Sequence, residues 1–235
     1  MECNFSKNCK KFATGQCELE NTSFCVREFK IRTLLQQSLL TPEQMKDKGL
    51  MLFDRNVCDE EQYVKLSEYK KNIEEIVGSG RNLYIYSANT GNGKTSWAVK
   101  LLIAYIQKIW YKCTTDCHGL FINVPRFLLS LKSYISDKSD TYIPHIKENV
   151  LDADIVVWDD IATKCATEYE MENLLSIINS RMDAGKCNIF TSNVSPEFLP
   201  EFIGQRLASR LLQSEKIPFN GGDMRGVIID TTECN

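Results

Sequence analysis

The sequence predicts a three-layer α/β fold built on a parallel sheet, preceded by a small cysteine-rich segment. Two observations carry the sheet: short apolar runs alternate with helical stretches from residue 81 onward, and the first run feeds a glycine-containing turn that opens a helix. A third sets the start apart, since residues 1–30 hold Cys3, Cys9, Cys17 and Cys25 but few aliphatic side chains. Composition fits one sizeable core plus an appendage, at 43% hydrophobic and 25% charged residues over 235 positions, and excludes a disordered chain. No apolar run reaches membrane-spanning length, and Met1-Glu2-Cys3-Asn4 lacks the basic-then-apolar pattern of an export signal, so a cytoplasmic protein with no membrane partner is expected. A net charge of −3 excludes a surface that grips nucleic acid everywhere, while leaving room for a local basic groove.

In chain order, residues 1–30 need something other than burial to hold them. Four thiolates, from Cys3, Cys9, Cys17 and Cys25, around a zinc ion supply folding free energy that so small a segment cannot gain from a core. The spacings of five, seven and seven intervening residues lack the tight C-x-x-C of common zinc ribbons, and His118 and His145 lie far off. Four reduced, unrelated cysteines are the plain alternative, and Cys58 is a substitute ligand. Residues 31–80 read as a helical connector. Thr41-Pro42-Glu43-Gln44 offers an N-cap, a first-turn proline and a capping-box glutamine, and 59–77 reads as one amphipathic helix ending at Gly78-Ser79-Gly80. Residues 81–235 form the α/β domain, with strands expected at 82–87, 119–124, 155–158 and 188–191, a last strand at 226–230, and helices around 94–111, 125–136 and 168–184.

The chemistry sits where those strands end. Tyr84-Ile85-Tyr86-Ser87 runs into Ala88-Asn89-Thr90-Gly91-Asn92-Gly93-Lys94-Thr95, a near match to G-x-x-x-x-G-K-[ST] with Ala88 for the first glycine. Gly91 and Gly93 let backbone N–H groups converge on phosphate oxygens, Lys94 reaches the β- and γ-phosphates, and the Thr95 hydroxyl ligates Mg²⁺. Residues Ala88 to Ser96 are thus the expected ATP cradle, against the alternative of an ordinary turn and helix. In Ile155-Val156-Val157-Trp158-Asp159-Asp160, Asp159 is expected in the Mg²⁺ shell and Asp160 beside the attacking water. Asn193, after the fourth apolar run, stands ready to sense the γ-phosphate, although it also reads as a turn residue. Arg206 and Arg210, four apart on one helix, form either a solvated face or a finger for a neighbour's phosphate, worth about 10³–10⁵ in rate. Asn220-Gly221-Gly222-Asp223-Met224-Arg225 presents a third arginine on a glycine turn.

Taken together, Ala88–Thr95, Trp158-Asp159-Asp160, Thr191-Ser192-Asn193, Gly204-Gln205-Arg206 through Arg210, and Gly221-Gly222-Asp223-Met224-Arg225 resemble the AAA+ ATPases that load replicative helicases, the DnaC/DnaI type. The likeness covers about two thirds of the chain by motif, and the cysteine-rich leader by composition. It implies slow, switch-like ATP hydrolysis and ATP-dependent self-association. It also implies single-stranded DNA and a hexameric replicative helicase as partners, the latter gripped by the zinc-binding leader. By the resemblance Arg210 is the arginine finger and Arg225 the second sensor. Ala88 departs from the family pattern, and so does Asp160, where loaders often carry Glu. Rival readings are an IstB-type transposition regulator and a binding module that holds ATP without hydrolysing it. A replication-initiator relative ranks lower, because it needs a C-terminal duplex-reading domain and the sequence ends at Asn235.

Overall fold

Alternation along the strands decides the layers. Leu83, Ile85, Phe121, Ile155, Val157, Ile189 and Ile217 point to one face of the sheet, and Tyr84, Leu120, Ile122, Val156, Trp158 and Phe190 to the other. Each set heads its own hydrophobic core, and helices cover both faces. The computed structural model describes residues 14–15, 26–45, 60–136, 141–162 and 167–223. Cys3, Cys9, Cys17, Cys25 and Cys58, Arg225 and the strand expected at 226–230 lie outside them.

Among the described residues the sheet has five parallel strands: β1 (Leu83–Tyr86), β2 (Gly119–Asn123), β3 (Ile155–Asp159), β4 (Cys187–Ser192) and β5 (Glu215–Pro218). Their spatial order is β2-β3-β4-β1-β5. Four lie where the apolar runs predict. The fifth, Glu215-Lys216-Ile217-Pro218, has one fully buried side chain, Ile217, and so gives no apolar run to read. It pairs with β1 as an edge strand, which tolerates charge and a terminal proline.

Among the described residues four helices precede β1: α1 (Val26–Gln37), α2 (Pro42–Met45), α3 (Glu60–Lys71) and α4 (Ile73–Gly78). Thr41 and Gln44 form the expected capping box, with Gln44 N donating to Thr41 Oγ1 at 3.2 Å and Thr41 N to Gln44 Oε1 at 2.9 Å. The single helix expected over 59–77 is two, because Asn72 leaves helical geometry (φ −108°, ψ 25°) between them. Gly80, at φ 66°, ends the second with its N–H on Val77 O. Ile31, Leu34, Leu35, Leu40, Leu66, Ile73 and Val77 from this region all join the first core. At about 1.5–3 kcal/mol for each fully buried side chain, that burial binds residues 26–45 and 60–80 firmly to the sheet. Ser38 adds a backbone bond, its carbonyl accepting from Phe121 N of β2 at 2.8 Å.

Helix α5 (Lys94–Ile109) lies in the same layer, with Trp97, Ala98, Leu101, Leu102, Tyr105 and Ile106 buried. The opposite layer holds α6 (Val124–Ser136), α7 (Tyr142–Asn149), α8 (Glu168–Asp183) and α9 (Leu199–Leu211). Gly204 (φ 73°, ψ 157°) breaks α9, so Gln205–Leu211 forms a separate run of helix. No helix among the described residues is long and apolar enough to cross a membrane.

Candidate nucleotide site

Parallel pairing brings the strand exits to one edge of the sheet, the edge where such folds bind ligands. β1 leads into the loop of residues 87–93, and α5 opens at Lys94. Gly91 (φ 73°) and Gly93 (φ 93°) both adopt the left-handed conformation that side chains resist, and Gly93 caps α5. The loop is internally wired. Ser87 Oγ accepts from Asn89 N at 3.1 Å and from Asn92 Nδ2 at 2.5 Å. Lys94, only 6% exposed, donates its Nζ to Asn89 O at 2.7 Å and to Asn92 Oδ1 at 3.0 Å. Its ammonium therefore lies inside the loop, where a phosphate would be a charged acceptor stronger than these two neutral oxygens.

Two strands away, Asp159 ends β3 and is 4% exposed. Thr95 Oγ1 and Thr191 Oγ1 each donate to its Oδ1 at 2.7 Å, and Asn123 Nδ2 to its Oδ2 at 3.3 Å. The two expected Mg²⁺ ligands, Thr95 and Asp159, thus lie in direct contact, close enough for one cation with ligand distances near 2.1 Å to touch both. That donor set, all hard oxygen, fits magnesium. Asp160 follows at φ 55°, its N–H donating to Thr191 Oγ1 at 3.0 Å. Ala88, Asn89, Thr90 and Ser96 are exposed around the loop, and Asn193 is exposed just past β4.

Arg210 and Arg206 lie apart from this constellation. They line an open groove of about 480 Å³ between α8 and α9 with Leu175, Asn179, Gln205 and Ser209, and no residue of the 87–95 loop borders it. Within the described residues no group of three or more His, Cys, Asp or Glu side chains is placed to hold a metal.

Asn123 and Thr191 are the site residues that sequence reasoning missed. Each is a polar ending to an apolar strand, and Asn123 sits in register with Asp159 across β2 and β3. That shared exit position was the available signal.

Residues 61–215 match the family described as the bacterial DnaA ATPase domain. The chain belongs to that family. Three solved structures show the DnaA-type fold at low identity. The DnaC helicase loader superposes with TM-score 0.53 at 21% identity over 67% of this chain and 87% of its own. DnaI gives 0.58 at 15% over 77% and 95%. The replication initiator DnaA bound to AMPPCP and single-stranded DNA gives 0.58 at 16% over 77% of this chain and half of its own. No curated protein matches the chain. It is therefore a DnaA-type AAA+ ATPase domain protein, with the three-layer P-loop fold that the strand order and loop predicted. Initiators and loaders share this fold, and the position of Asn235 does not decide between them.

Proposed function

We propose that the protein is an ATP-dependent loader of a replicative helicase, which binds ATP with Mg²⁺ and single-stranded DNA and delivers the helicase ring. The observation that carries the nucleotide half is the Thr95–Asp159 contact at 2.7 Å beside the buried Lys94. Lys94 leaves Asn89 O and Asn92 Oδ1 for the β- and γ-phosphates, and the loop N–H groups from Asn89 to Thr95 bind the remaining phosphate oxygens. Thr95 and Asp159 would hold the Mg²⁺, which when bound would supply positive charge to the phosphates. Thr191 and Asn123 fix the Asp159 carboxylate in that orientation. Asp160 takes the proton of the attacking water on its carboxylate, Asn193 orients that water, and Arg210 serves a neighbouring copy. The loading half is supported by the likeness in fold to DnaC and DnaI and by the cysteine-rich leader.

A second reading, a relative of the replication initiators, is favoured by the family match itself. One pair of measurements separates the possibilities. Lys94→Ala should weaken ATP binding by about 100-fold or more in calorimetry. Tagged protein, incubated with host extract and ATP, should retain the hexameric helicase and lose it in the Lys94→Ala form. Unchanged ATP affinity would remove the nucleotide site, whereas ATP-dependent capture of duplex origin DNA without helicase would favour the initiator reading.

A further inference from the structure

The segment after β5 folds back over the phosphate loop. Phe219 N donates to Tyr86 O at 2.8 Å, which continues the β5–β1 pairing and fixes where the segment begins. From there Asn220–Asp223 crosses the cradle. Asn89 Nδ2 donates to Asn220 O at 3.4 Å and to Gly221 O at 3.2 Å, and Asn92 Nδ2 donates to Gly221 O at 3.4 Å. The Asp223 carboxylate lies directly on Gly91, so closely that a Cβ built there would fall 1.7 Å from Asp223 Oδ1.

We propose that Asn220–Asp223 is a built-in competitor of nucleotide: Asp223 places a carboxylate over the loop that is shaped for phosphate, and ATP must eject the segment to bind. Three features support this. The loop favours an anion, and Asp223 is the anion that the chain itself supplies there. Phosphates and Asp223 carry the same sign of charge, so the two cannot share Gly91 at low cost. The three amide bonds that Asn89 and Asn92 make to the strap, at 3.2 to 3.4 Å, are long. Nucleotide arrival and release of the residues beyond β5 are then one event, which gives the chain a reporter of its own occupancy. The proposal rests on the reading of the loop as an ATP site.

Calorimetry with ATP and hydrogen exchange of the peptide 219–223 test both together, on the full chain and its Asp223→Asn and Asp223→Ala variants. Asp223 is exposed, so neither change endangers the fold. Removing the competitor should tighten ATP binding about three- to tenfold, because a larger fraction of molecules is ready to bind. In the unaltered protein ATP should speed exchange in 219–223, while in Asp223→Ala exchange is already fast without it. If no form binds ATP, the nucleotide site itself falls and takes this inference with it. If the unaltered protein binds ATP but the variants bind no tighter, or if ATP slows exchange in the strap, the competitor alone is refuted.

Discussion

A left-handed backbone at Asp160, φ 55°, puts a Cβ where crowding costs on the order of 1 kcal/mol. Two bonds to Thr191 hold it there, Asp160 N to Oγ1 and Ile161 N to the carbonyl, both at 3.0 Å. Aspartate and asparagine tolerate this conformation better than other side chains, so the turn alone would explain either residue. The two roles separate cleanly in Asp160→Asn. That variant keeps the turn, and ATP affinity by calorimetry should stay within about twofold, yet phosphate release should fall about 100-fold with the carboxylate gone. Undiminished release at saturating ATP would assign Asp160 to the turn only. The loop and Asp159-Asp160 were legible in the sequence because their signals are local, a turn chemistry and a strand exit. Asn123 and Thr191 were not, since a single polar residue ending a strand is common and its meaning appears only through register across β2, β3 and β4. The strap was out of reach for another reason: Asp223 and Gly91 are joined by tertiary folding alone.

Among elements, α8 is anchored by an interaction that no local pattern announces. Arg181, near its C-terminus, is fully buried. Its guanidinium donates to the carbonyls of Val150 at 2.5 Å, Ala153 at 2.8 Å and Cys187 at 2.7 Å, and to Asn188 Oδ1 at 2.8 Å. Burial lowers its pKa to about 10, which leaves it charged at neutral pH. One side chain thus ties the end of α8, the turn before β3 and the start of β4 together. Arg181→Ala strands those acceptors and should cost about 3–5 kcal/mol in urea unfolding. The exposed Arg206→Ala serves as the contrast, at about 0.5 kcal/mol or less. Equal midpoints for the two variants would show that the buried network contributes nothing. The features that the sequence did not show, the break at Asn72 and the strand at Glu215–Pro218, have weak local signals: one asparagine in a charged helix, and one apolar residue in an edge strand.

At the scale of the molecule, Arg210 lines the α8–α9 groove, which no residue of the 87–95 loop borders. A role across a subunit boundary makes a specific demand. Arg210→Ala should keep ATP affinity yet lose hydrolysis, and mixing it in equal amount with the loop-dead Lys94→Ala should restore part of the rate. With random assembly about a quarter of the boundaries pair a working loop with a working arginine. A mixture that stays inactive, with sizing that shows a monomer in ATP, would return Arg210 to an ordinary groove residue.

Such assembly also has a constraint written into the borders of the sheet. The free side of β2 is met by the Ser38 carbonyl, and on the other border β5 ends in Pro218, which has no N–H to offer, while its Glu215 pairs with Lys65 of α3 at 2.7 Å. A stranger's strand finds poor footing at either end. Self-association of the kind proposed would therefore run through helices and loops and not, at the borders described, by extending one sheet into the next, which would build a fibre.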